Sequence, residues 1–152
     1  ILGENALRIF LDHESIENAG LKLDEVKAAA KKDFEKYDNI AYVVDYDNVA
    51  AQSIPQPIRE RIINGYSRER GGDLLLVTNP GWIDASNDAN YKGTTHGLWN
   101  PDDSHIPLIF MGWNIKSGET SKPTSMTDIA PTICSMLHIQ MPNACVGNSI
   151  FQ

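Results

Sequence analysis

The sequence is short of cysteine, short of positive charge and without a long apolar run. Its 152 residues carry 13 Lys and Arg against 20 Asp and Glu, a net charge of −7. Phosphate backbones are bound by clustered Lys and Arg, so this balance speaks against a nucleic-acid partner. No apolar run approaches the ~18 residues that a membrane helix needs, which excludes a helical membrane span. Neither a GxSxG elbow nor a Gly-rich phosphate loop is present, which removes two common hydrolase and nucleotidase signatures. The two cysteines, Cys134 and Cys145, stand eleven apart. That spacing suits neither a zinc knuckle nor a CxxC redox motif; two free thiols or one disulfide both fit it. The chain opens Ile1-Leu2-Gly3-Glu4, with no Met and no signal-peptide pattern, as expected of a mature form or an excised piece.

What is present is a globular composition. With 41% hydrophobic and 8% aromatic residues, the chain is too apolar for a disordered acidic tail. Its length is enough for one core and, taken alone, suggests one domain. Ala6–Leu11 alternates and reads as a strand. Residues 24–37 read as a helix: acidic residues open it, lysines fill its later turns, and Leu23, Val26, Ala30, Phe34 and Tyr37 share a face. Ile40–Val44 reads as a short buried strand. Pro57 starts a second helix, Ile58–Tyr66, with Ile58, Ile62 and Ile63 inward. Leu74–Val77 reads as another strand. This order predicts an α/β layout, a small sheet with helices packed on one side.

From Asn79 to Asp103 the periodicity disappears. The stretch is rich in Gly, Asn, Asp and Thr, yet it carries Trp82, Tyr91 and Trp99. A loop of this length inside a domain is either functional or disordered, and its aromatic residues favour the first. It leads into His105–Met111, which reads as a buried strand. The last helix is expected over Met126–Leu137, with Thr127 or Ser125 as cap, Asp128 at its positive end and Pro131 early enough to be tolerated. A loop and a short terminal strand close the chain. No repeat or low-complexity segment occurs.

His96 is the leading candidate for chemistry. Gly93 and Gly97 flank it, Thr94 and Thr95 can supply supporting hydroxyls, and neutral imidazole is a common Zn²⁺ ligand. His105 reads as a residue at a strand entry that bonds backbone or supports a ligand. His13, in Asp12-His13-Glu14, reads as solvated, and His138 as a complement to the last helix's negative end. The carboxylate pairs Asp45/Asp47 and Asp102/Asp103 suit a hard cation, but read first as solvated turn residues. Cys134 reads as core.

Gly93-Thr94-Thr95-His96-Gly97, an acidic spacer, Ser104-His105-Ile106-Pro107-Leu108-Ile109-Phe110-Met111-Gly112-Trp113 and the later Thr127-Asp128-Ile129-Ala130-Pro131-Thr132-Ile133 together resemble the C-terminal core of the alkaline phosphatase superfamily. The nearest resemblance is to the single-chain, zinc-dependent bacterial alkaline phosphatases of the Bacteroidetes type, related to type I phosphodiesterases and nucleotide pyrophosphatases. The Leu74–Val77 strand followed by Asn79-Pro80-Gly81-Trp82 fits the same group. The resemblance is strong from Asp73 onward and compatible in layout before it. It implies a partial alkaline-phosphatase-like sheet with flanking helices. Residues 73–152 would be the C-terminal part of the core, and residues 1–72 a cap or inserted segment.

By that resemblance His96 is the last protein ligand of one of two zinc ions, and His105 is structural or supports that ligand. The implied reaction is hydrolysis of phosphate monoesters through a Thr or Ser phosphoenzyme, with two metals neutralising charge. The family's nucleophile, its DxxxH pair and its Asp-His-Gly motif have no counterpart here, since Glu14 follows Asp12-His13. The chain is therefore expected to be a C-terminal fragment, inactive alone, with open strand edges that favour self-association. Export to the periplasm or outer surface, and with it a Cys134–Cys145 disulfide, are implied in the same way. Two other readings remain: a phosphodiesterase, sulfatase or phosphonate hydrolase of the superfamily, or a non-catalytic α/β module.

Overall fold

In a computed structural model, the described residues are 3–5, 7–82, 90, 92–93, 96–112 and 114–151. They fall into two compact units, Ile1–Leu108 and Ile109–Gln152.

The first unit is built on β4, Leu74–Thr78. This run has no polar alternation, so it reads as a strand buried on both faces. It lies inside an antiparallel sheet of order β1-β2-β4-β3, with β1 at Gly3–Asn5, β2 at Arg8–Phe10 and β3 at Ile40–Asp45. The expected first strand is thus the second arm of a hairpin. Successive β4 side chains point to opposite faces. Leu74 and Leu76 join Ile9, Leu11 and Val43 on one face, and Val77 joins Val44, Val49, Ile54, Ile58 and Ile62 on the other.

Each face has its own cover, which corrects the expectation of helices on one side. Helix α2, Leu23–Phe34, lays Leu23, Val26, Ala30 and Phe34 on the first face, with Ile16 of the short helix α1, His13–Asn18. Tyr37, expected on that stripe, is exposed. The second face is covered by helix α3, Gln56–Gly65, and the 3-10 turn Tyr46–Ala51. Ile58 and Ile62, four apart, point inward, while Ile63 is exposed; a step of one residue turns the side chain ~100° around the helix.

Gly72 enters β4 with φ +75°, and a Cβ there would lie 2.8 Å from the Ile9 carbonyl oxygen. Only glycine meets both conditions. On the outer strand β3, the Gln52 amide donates to the Asp45 carbonyl at 2.9 Å and accepts from the Asp45 N–H at 3.1 Å. It fills the place of a neighbouring strand and blunts that end of the edge.

Lys27 is the buried exception on α2, 3% exposed. Its ammonium donates to Asp45 Oδ1 at 3.1 Å and to Asp47 Oδ2. Asp45 and Asp47 are therefore structural counter-ions. Burial alone would pull the Lys27 ammonium down, but the bonds to Asp47 and Asp45 outweigh it and hold it above 10.5. Lys27 in turn holds the Asp47 carboxyl below 3.8.

In the second unit, the 3-10 turn Met126–Asp128 runs into helix α5, Ile129–Leu137, as expected. The Asp128 carboxylate accepts from Asn148 N–H and Ser125 N–H, both at 2.8 Å, and these bonds hold it below its usual range. The Thr132 hydroxyl accepts from Ile150 N–H at 3.0 Å. The terminal segment is pinned to α5 through these bonds and forms no strand among its described residues, contrary to expectation. Both Cys134, buried, and Cys145, half-buried, are free thiols, so the implied disulfide is absent. The expected strand over 105–111 is also absent: no regular element forms there, and Ile106, Ile109 and Met111 are exposed. No described helix is long and apolar enough to cross a membrane.

Lys27 sets the pH response of the first unit. The Asp47 contribution is present above pH ~3.8 and is lost as pH falls through the depressed folded value. The Lys27 contribution is complete below pH ~10.5 and is lost as pH rises through the raised folded value. Stability should therefore be flat between about pH 5 and 9 in urea titrations. Lys27→Ala should cost about 1–3 kcal/mol at pH 7, below the usual 3–5 for a broken buried pair because Asp47 rehydrates readily. Lys27→Met, which keeps the aliphatic stem, should cost less and shrink the loss of stability between pH 7 and pH 3.

Candidate metal-ligand loop

The loop that carries His96 is fastened to β4 and α3. Its aromatic anchor is Trp99, half-buried against the core cluster that includes Val77, Ile58 and Ile62. The Trp99 indole N–H donates to the Thr78 carbonyl at 3.1 Å, at the end of β4. From α3, the Arg61 guanidinium donates to the Trp99 carbonyl and to Ser104 Oγ, the latter at 2.8 Å. Ser104 Oγ donates to the Asn100 carbonyl at 2.8 Å. Asn100 is 1% exposed and precedes the four-residue helix α4, Pro101–Ser104. Pro101 suits its first position because it has no N–H to leave unpaired.

Asp103 sits on α4 and reaches back to the His96 side of the loop. Its Oδ2 accepts from Gly97 N–H at 2.6 Å and from Leu98 N–H. Gly97 has φ +116°, and a Cβ there would meet nothing within 4 Å. The glycine is needed for its backbone conformation rather than for space. His96 is thus an exposed residue immediately before a clamped pair of amides.

The other candidates fall out differently. Thr94 and Thr95 lie outside the described residues. His105 ends α4, where its backbone N–H donates to the Pro101 carbonyl at 2.9 Å, and its side chain is exposed. It closes a helical turn instead of entering a strand. Asp102 is exposed, while its neighbour Asp103 is committed to the two amides. His138 is the left-handed C-cap of α5, φ 53°, and its N–H donates to the Ser135 carbonyl.

One pairing was hidden in the sequence. His13 Nε2 lies 2.6 Å from Asp73 Oδ1, and Asp73 Oδ2 accepts from Leu11 N–H at 2.8 Å. His13 is therefore held, not merely solvated; sixty residues separate the partners, and no local pattern signals them.

A catalytic zinc needs three protein ligands. Among the described residues, no three His, Cys, Asp or Glu side chains converge. By themselves these residues do not fit a zinc site, and His96 is one ligand of an incomplete set at most.

Comparison with known proteins supplies the wider frame. No protein-family model matches the chain. Over 143 residues, 94% of its length, it is 43% identical to alkaline phosphatase PafA of Elizabethkingia meningoseptica. Over an equal stretch it is 48% identical to a Myroides odoratus protein named a calcium-transporting ATPase. The crystal structure of wild-type PafA matches 95% of this chain with a TM-score of 0.87 and 42% identity. The match covers 26% of each relative and 27% of the PafA chain in the crystal, so this chain spans about a quarter of their length. In sequence and fold the chain is the counterpart of a section of an alkaline phosphatase superfamily enzyme. Within that superfamily its likeness is to the PafA type.

The clamp on Gly97 and Leu98 is directly testable. Asp103→Ala should speed amide hydrogen exchange at Gly97 and Leu98 about tenfold to a hundredfold, as expected for lost charge-assisted bonds of about 1.5–3 kcal/mol. Exchange within β4 should not change.

Proposed function

We propose that this chain is the C-terminal section of an exported, metal-dependent phosphatase that hydrolyses phosphate monoesters. The observation that carries this reading is the match to PafA, 43% identical in sequence and 0.87 in TM-score, over nearly the whole chain. His96 is the residue of this section that ligates metal, one contact in a two-zinc site. Neutral imidazole is suited to that role, and the clamped amides after it limit the directions the ring can take. Zinc supplies Lewis acidity and charge neutralisation for phosphoryl transfer when bound. The Thr or Ser that takes the phosphoryl group, and the remaining ligands, belong to the rest of the enzyme.

Two consequences separate this reading from a non-catalytic module. The chain alone should give no chelator-sensitive turnover of p-nitrophenyl phosphate with added Zn²⁺. A PafA chimera in which this chain replaces the matching section should be active, with a monoester preferred over a diester. In that chimera His96→Ala should lower kcat/KM by at least about a hundredfold, the scale of losing an essential electrostatic group. It should also reduce bound zinc, measured by atomic absorption. Full activity and metal content in the His96→Ala chimera would remove the ligand role. Robust turnover by the chain alone would remove the claim that the site is completed elsewhere.

A further inference from the structure

Helix α5 carries an exposed apolar stripe beside its buried face. No charged residue occurs between Ile129 and Leu137, and Pro131, Thr132 and Cys134 form its buried face. Ala130, Ile133 and Leu137 follow at spacings of three and four, so they stack on another face. Met126, in the preceding 3-10 turn, extends the stripe. All four are exposed, Met126 by 68%, Ile133 by 44% and Leu137 by 53%. A helix side of this kind, with apolar residues in line at helical spacing, is one that packs against another surface.

Three occupants could cover the stripe, and charge and length separate them. A membrane surface is sought by helices with Lys and Arg on the opposite face, and α5 has none. A second copy would bring together two chains of net charge −7, which repel. The matched section, by contrast, is only 27% of the PafA chain and keeps its fold with a TM-score of 0.87. The greater part of such an enzyme lies outside the match.

We propose that the Met126–Ala130–Ile133–Leu137 face is the docking surface for the remaining polypeptide of the enzyme, which meets it with an apolar surface of its own. This rests on the reading of the chain as a section of a phosphatase. The partner surface removes Ile133 and Leu137 from water, so their energetic weight appears only in the longer protein.

The test is one pair of substitutions in two contexts. Ile133→Lys with Leu137→Lys adds cations towards the C-terminal end of the helix, where its dipole tolerates them. In this chain alone both residues are exposed, so the urea midpoint should not move. In the PafA chimera the same pair should raise the unfolding equilibrium constant by at least about a hundredfold, the scale of denying burial to two large aliphatic side chains. Should the chimera fail to fold, the pair is placed at the aligned positions of the Elizabethkingia enzyme itself. Equal loss in both contexts, or no loss in either, overturns the proposal. So does a dimer of the chain alone, seen in sedimentation, that the two lysines dissociate. Stability is read without activity: a chimera that folds and docks but turns nothing over would sink the phosphatase reading and leave the docking surface standing.

Discussion

The first unit depends on one constraint: Leu74–Thr78 has to be covered on both faces at once. A strand with apolar residues at successive positions cannot sit on the outside of a sheet or face water on either side. It therefore takes the interior place between β2 and β3 and draws a helical layer to each face. Leu74 has no exposed surface, and truncating such a residue typically costs about 2–5 kcal/mol. The same strand fixes the loop, because its last carbonyl, at Thr78, receives the Trp99 indole. Packing of the core and placement of His96 are consequences of the same element.

The charged groups have been drawn into that arrangement rather than left on its surface. Lys27 falls on the sheet side of α2, where the amphipathic pattern calls for an apolar residue. It is tolerated because Asp45, at the end of β3, and Asp47, in the 3-10 turn that follows, both reach it. Ion pairs of this kind add little net stability, since desolvation offsets attraction, but they make the pairing specific. An α2 shifted along the sheet would leave an ammonium buried without a counter-ion. His13 with Asp73 and Asp103 with the Gly97 and Leu98 amides follow the same pattern. In each case a carboxylate from one element fixes a distant or irregular one.

The sequence disclosed what local periodicity encodes. The Leu74–Val77 strand, helix α2 with its stripe of Leu23, Val26, Ala30 and Phe34, and the turn into α5 were all legible, because each rests on neighbours within a few residues. The Gly-x-x-His-Gly and Asp-Ile-Ala-Pro-Thr patterns led to the superfamily that the comparisons then supported. What stayed hidden is long-range. Lys27 looks like any helix lysine, and its partners lie eighteen and twenty residues away. The carboxylate pairs read first as solvated turn residues, yet Asp45, Asp47 and Asp103 are committed to protein donors. His105–Met111 departs from its apolar pattern for a different reason. An apolar run specifies that something must cover it, not that the cover lies in the same stretch of chain.

That distinction also explains why a single histidine can be well placed and still not make a site. Holding a metal ligand in position has an ordering cost, and a rigid support removes that cost before the metal arrives. For His96, the proposed ligand, part of that support is visible. Trp99 packs on the core, Arg61 ties its carbonyl to α3, and Asp103 clamps the amides next to His96. Under the proposed reading, His96 and the exposed stripe on α5 share one form: each is positioned by this section's own residues, and each would act through what the section joins.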